Sequence, residues 1–249
     1  MAKRKINVDI EDIKRQLIII GYEISHSEEK ENNGKYWEIV FKNRKAIVII
    51  YETGTVDIGG PVEVDEKEGL KKIIKLLIAN ELNIHPLNEE IVNLIKSGKE
   101  DVFYDLKKGY PSVKGLIHDI LCLSNNLENK ESYLIIGVED GGAPFKKGEN
   151  DEDLIPIESP DLFTVLNDVK FAGEHKPEVE FEEMYYLHTK IQVIICRKSN
   201  RVPFYLSKDC GKAKTGLIYT RRGDTNTPSN EIAKYDEVEK LWRIHFGLN

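Results

Sequence analysis

The chain is short of most features that declare a function class at sight. Its three cysteines, Cys122, Cys196 and Cys210, are scattered and form no CxxC pair. An odd, dispersed set argues against a disulfide framework and a structural zinc site, and it fits a reducing, cytoplasmic setting. No apolar run approaches the ~18 residues a membrane helix requires. The basic start MAKRKINVDIEDIKRQL has no hydrophobic stretch behind it, so no signal peptide is expected. GxxxxGK[ST], G-x-S-x-G and HExxH are missing, as is a glycine-rich fingerprint after a strand. Those absences leave P-loop, serine-hydrolase and zincin chemistry without support.

What is present is an ordinary globular composition, 40% hydrophobic and 32% charged, enough for one large or two modest domains. A net charge of −7 does not advertise a nucleic-acid partner. The distribution says more than the sum. Acids outnumber bases from Glu139 to Glu183, whereas Lys190 to Arg222 holds nine Lys or Arg against the single acid Asp209. A basic block beside an acidic cluster suits phosphate on one side and cations on the other.

The first stretch, residues 1–85, reads as helix, four strands, helix. Ile10, Ile13 and Leu17 form one stripe over 8–20, with Asp9 at the N-cap position. Strand-like runs follow at 22–27, 35–41, 46–51 and 55–59, separated by ENNGK, KNRK and ETG turns. A helix over 66–82 turns Leu70, Ile73, Ile74 and Leu77 inward. Tyr22, Tyr36, Trp37 and Tyr51 could serve either as core or as stacking platforms for bases. The segment IVIIYETGTVDIGGP at 47–61 resembles the TATA-binding-protein-like domain found ahead of some ribonucleases H.

His85-Pro86 marks a boundary, because a residue before proline leaves the helical region. The second stretch, 88–249, opens with a helix capped by Asn88 and ended by Gly98, with Ile91, Leu94 and Ile95 inward. A strand near 102–107 comes next, then a helix from Pro111-Ser112 burying Leu116, Ile117, Ile120 and Leu121. His118 and Asp119 fall on its other side, where a solvated role is expected. A strand ends before Glu139-Asp140, and a helix runs over 160–169. Strands at 179–187 and 190–197 form a hairpin, two more are expected at 203–206 and 217–220, and Ile232, Val238, Leu241 and Trp242 define a last helix. The fold class is α+β: a small helix–four-strand–helix domain, then a mixed sheet with flanking helices.

The candidate chemistry centres on 99–143. Alternation places Asp105 and Lys107 on one strand face and Val102, Tyr104 and Leu106 on the other. A carboxylate and an amine two residues apart can hold a divalent cation and steer a water. An exposed, ion-paired edge gives the same tripeptide. Asp105-Leu106-Lys107 also fits half of a PD-(D/E)xK nuclease motif, although no Pro-Asp precedes it at a suitable distance.

The series Glu100, Asp105-Leu106-Lys107, Ser124-Asn125, Gly137-Val138-Glu139-Asp140 and Tyr219-Thr220-Arg221-Arg222-Gly223-Asp224 resembles the Schlafen AlbA_2 family across roughly residues 88–245. Two departures stand out. Asp105 occupies a position that is usually Glu, and Glu128-Asn129-Lys130-Glu131 replaces a Gly-Gly turn. The resemblance implies a divalent-metal-dependent endoribonuclease acting on transfer- or ribosomal-RNA-like substrates, with RNA favoured over DNA. Catalysis would fall to Glu100, Asp105, Lys107 and Asp140, with Mg2+ or Mn2+ held by Glu100, Asp105 and Asp140. Phosphate contacts would come from Arg197, Lys198, Arg201, Lys212, Lys214, Arg221, Arg222 and Thr225, helped by the hydroxyls and backbone N–H groups of the RGDTNTP turn. Two copies would associate into a homodimeric groove. The competing expectation is a non-catalytic nucleic-acid or nucleotide-binding module, or a subunit of a defence or toxin system.

Overall fold

A computed structural model describes residues 8–32, 34–42, 46–148 and 151–248, an α+β chain of two compact units. The first unit comprises residues 1–93 with 184–190, and the second 94–183 with 191–249. The KNRK turn lies, beyond Lys42, outside the described residues.

In the first unit, α1 (Ile10–Ile19) begins where the Asp9 carboxylate accepts from the Asp12 N–H at 3.0 Å, as an N-cap should. Strands β1 (Ile24–Glu31), β2 (Lys35–Phe41), β3 (Ile47–Tyr51) and β4 (Val56–Gly59) make an antiparallel meander in that order. Its period of two buries Ile39, Phe41, Val48, Ile50 and Val56 on one face. Helix α2 (Val64–Ile78) buries Leu70, Ile73, Ile74 and Leu77, spaced for a single stripe. Each such aliphatic side chain contributes about 1.5–3 kcal/mol by leaving water. Tyr22 is core, 2% exposed with its ring 4.8 Å from that of Phe41, so it offers no platform to a base. Asn88 is the first residue of α3 (Asn88–Ser97), and its side chain serves another segment where a helix cap was expected. It is fully buried and exchanges hydrogen bonds with the Tyr185 backbone, at 2.8 and 2.9 Å.

In the second unit, β5 (Tyr104–Lys107) pairs in parallel with β6 (Ser132–Ile136), and the crossover between them carries α4 (Leu116–Ser124). β8 (Thr189–Cys196) runs antiparallel to β6, and β7 (Val179–Tyr186) completes the order β5-β6-β8-β7. β6 is buried at all five positions and α4 at all nine. Helices α5 (Ser159–Asp168) and α6 (Tyr235–Phe246) add Leu162, Leu166 and Leu241 to the same core. Among the described residues, no helix is long and apolar enough to cross a membrane.

Four expectations change here. Asp105 is 0% exposed, because a parallel strand is covered on both faces. His118 and Asp119 are 8% and 9% exposed, since α4 has no solvated side. Residues 203–206 and 217–220 make only isolated bridges. Asn125 takes their backbone groups, donating to the Phe204 and Tyr219 carbonyls (2.9 and 2.8 Å) and accepting from the Phe204 N–H (2.7 Å). The short strands are instead β9 (Arg221–Arg222) and β10 (Thr225–Asn226). Ile232 precedes α6 and is 53% exposed.

Candidate functional site

Parallel pairing brings the carboxyl ends of β5 and β6 to one edge, with Lys107 opposite Ile136. Crevices at such edges are where sheets of this kind receive ligands. A cleft of about 700 Å³ opens there, lined by Lys99, Glu100, Lys107, Asp140, Asp224 and Thr225 among others. After β6 the chain turns back on itself at Gly141-Gly142. At Gly142 (φ +86°) a Cβ would lie 2.5 Å from the Ile95 carbonyl oxygen, so the turn that presents Asp140 admits only glycine there.

Behind the cleft, one guanidinium organises the carboxylates. Arg221 is 3% exposed. Its Nη2 donates to Glu100 Oε2 at 2.6 Å, its Nη1 to Asn226 Oδ1 at 2.8 Å, and its Nε to the Asp101 carbonyl at 2.8 Å. Nη1 also lies 3.2 Å from Asp105 Oδ2. The second Glu100 oxygen accepts from the Leu106 N–H at 2.9 Å, and Asp105 Oδ1 takes Lys107 Nζ at 2.5 Å. Burial pushes the Asp105 carboxyl up to about 6, against the pull of Lys107 and Arg221.

The network continues inward. Asn226 Nδ2 donates to Asp119 Oδ1 at 2.8 Å, and the Tyr110 hydroxyl donates to Asp119 Oδ2 at 2.5 Å. His118 Nδ1 is 3.3 Å from Asp119, and its Nε2 is 2.9 Å from the Thr227 carbonyl. Burial raises the Asp119 carboxyl, but hydrogen bonds from His118 and Tyr110 outweigh it and hold the group below its ordinary value. Burial, reinforced by Asp119, drives the Tyr110 phenol well above the usual range.

Of the expected metal triad, Glu100 and Asp140 share the cleft, while Asp105 lies behind it. Both Glu100 oxygens and both Asp105 oxygens already have partners, and among the described residues no group of three His, Cys, Asp or Glu could hold an ion. In this arrangement the residues do not fit a three-carboxylate Mg2+ or Mn2+ centre. The phosphate set is similarly redistributed. Arg221 is buried in the network. Arg197 grips Glu180 through two nitrogens (2.9 and 2.6 Å) and Glu131 through the third (2.5 Å). Arg222 lies 3.0 Å from Glu237, and Lys214 lies 3.1 Å from Asp209. The Thr227 hydroxyl donates to the Thr220 carbonyl at 3.0 Å, so it is not turned to a ligand. Thr225 does line the cleft, and Lys198, Arg201 and Lys212 are exposed.

Sequence reasoning passed over Tyr110 and Asn226, and gave His118 and Asp119 a solvated role. The signal for two of them was present: His-Asp inside the apolar run LIHDILCL leaves no polar face for either to occupy.

A family model described as Schlafen, AlbA_2 matches residues 99–230, more than half of the 249-residue chain. No curated protein and no solved structure matches.

Proposed function

This chain belongs to the Schlafen AlbA_2 family, and from that premise we propose that it binds nucleic acid, RNA ahead of DNA, in the cleft at the ends of β5 and β6. The family supports a nucleic-acid-related function. The observation that carries a binding role, as opposed to a metal-dependent one, is Arg221, which satisfies Glu100 and Asp105 from within the protein. The cleft is left with Lys99 and Thr225, and with the Lys107 ammonium that Asp105 holds at 2.5 Å, to meet phosphate and sugar, and a carboxylate rim to orient them. Association of two copies and a cytoplasmic role in defence belong to the same proposal. A solution mass of 28.6 kDa by light scattering would count against the association.

A second reading, a Mg2+- or Mn2+-dependent endoribonuclease, is favoured by one observation: Glu100, Lys107 and Asp140 line one cleft. It requires Arg221 to release Glu100. Fluorescence anisotropy with labelled single-stranded RNA, in EDTA and in Mn2+, separates the two. Binding that survives EDTA, weakens with salt, and falls on Lys99→Gln with Thr225→Val, the RNA staying intact, is the expected result. Shortening of the RNA only in Mn2+, abolished by Asp140→Ala, would replace it with the nuclease reading. Retention of neither RNA nor DNA would overturn both.

A further inference from the structure

A second hollow in the same unit, of about 210 Å³, shares no lining residue with the cleft. Three lysines from three segments meet there: Lys114 from the turn ahead of α4, Lys170 from the stretch after α5, and Lys208 from the loop at 207–216.

Backbone contacts, not carboxylates, bring these segments together. The Lys170 carbonyl accepts from the Ser207 N–H at 2.8 Å and from its hydroxyl at 3.1 Å, which seats Lys208 beside it. Gly211, at φ +55°, packs so tightly that a Cβ would fall 2.4 Å from the Lys114 carbonyl oxygen. Cys210 and Ala213 exchange backbone hydrogen bonds of 3.0 Å that close the loop.

The hollow is short of counter-charge. Among the described residues, none of the three lysines has an ion-pair partner. Of the two acids in the lining, Asp209 is turned to the Thr215 N–H (2.8 Å) and Lys214 Nζ (3.1 Å). Those contacts hold its carboxyl below the ordinary value. Only Asp168 remains. Three lysines lining one hollow with so little counter-charge give it a positive potential, and a multiply charged anion with several acceptor oxygens within reach of their side chains answers it. Lysine meets phosphate in this way, as a point charge.

We propose that this hollow seats a phosphate group, with Lys114, Lys170 and Lys208 as its ligands. The phosphate is either a free anion or monoester, or a phosphodiester of a nucleic-acid strand. The site does not depend on the cleft reading.

The test is an amide NMR titration of the full chain with inorganic phosphate, against chloride at equal ionic strength. Saturable shifts are expected at 112–115, 168–171 and 207–211. Lys170→Gln with Lys208→Gln, both exposed and outside the cleft, should weaken binding about tenfold or more while the melting temperature holds. The source is read from single-stranded RNA that has no terminal phosphate. A salt slope reduced by about 0.7 for each lysine replaced assigns the site to the strand backbone. An unchanged slope with phosphate binding intact assigns it to a free anion or monoester. Absence of saturable shifts in the wild type, or shifts that persist in the double variant, overturns the proposal. Failure of the wild type to bind RNA at all would sink the cleft reading, and the phosphate titration would still decide this one.

Discussion

The two four-stranded sheets solve the same burial problem with different materials. The first unit covers one face of an antiparallel meander and fills its core with aliphatic and aromatic side chains. Among the described residues, Asn88 is the only buried polar or charged one in that unit. Asp105, His118, Asp119, Asn125, Thr220, Arg221 and Glu237 are all in the second. Buried charge rarely stabilises a fold better than hydrophobic packing of the same volume would. The difference therefore teaches that the second unit is the specialised one, its polar interior shaping the edge where Lys107 and Asp140 meet the cleft.

Four measurements break or sharpen that contrast. The largest effect is expected from Arg221→Met, which strands two carboxylates. Urea denaturation should show a loss of about 3–5 kcal/mol, and a loss below 1 kcal/mol would make the network dispensable.

Asp105 comes next. Its folded carboxyl titrates near 6 against an ordinary 3.8, so the folded state binds more protons between those values. Stability then falls as pH rises through that window, and is fully present only below it. The wild type should lose on the order of 2–3 kcal/mol between about pH 4 and pH 6 relative to Asp105→Asn. Melting curves across that range check it, and parallel pH profiles would contradict it. The opposite contribution of Asp119 is common to both proteins and cancels.

Asn125→Leu should cost about 1–3 kcal/mol, because three backbone groups of the 204 and 219 segments lose their partner. Hydrogen exchange should rise at the Phe204 N–H first. The smallest effect belongs to Arg197→Gln. Its side chain is 30% exposed and its pairs with Glu180 and Glu131 are screened, so about 1 kcal/mol or less is expected. A larger change would mean that surface pairs carry as much as the interior network.

Legibility in the sequence follows the same division. The elements of the first unit were readable in kind and order, though not in every boundary (β1 was expected at 22–27 and α2 over 66–82), because a period of two or of 3.6 reports directly which side chains leave water. Lys35–Phe41 is a strand over its whole expected length, and Leu70, Ile73, Ile74 and Leu77 are all buried. In the second unit periodicity found α5, the β7–β8 hairpin and the core of α4. It failed at Asp105, His118 and Asp119, since a charged letter reads as solvent-facing when its partner is distant in sequence. Asn125 hid a further feature, because a side chain that imitates a strand's hydrogen bonds leaves no trace in the strand itself. The acids themselves were legible. That an arginine late in the chain would claim them was not.

That arginine sits 121 positions after the glutamate it binds. A ribosome releasing this chain from its N-terminus must therefore deliver nearly the whole second unit before the Glu100 carboxylate can be neutralised. Until then Glu100 and Asp105 have no cation from β9, and loop closure over so long a span is slow. The ionic latch is thus among the last interactions to form, and a chain that stops short of residue 221 emerges without it.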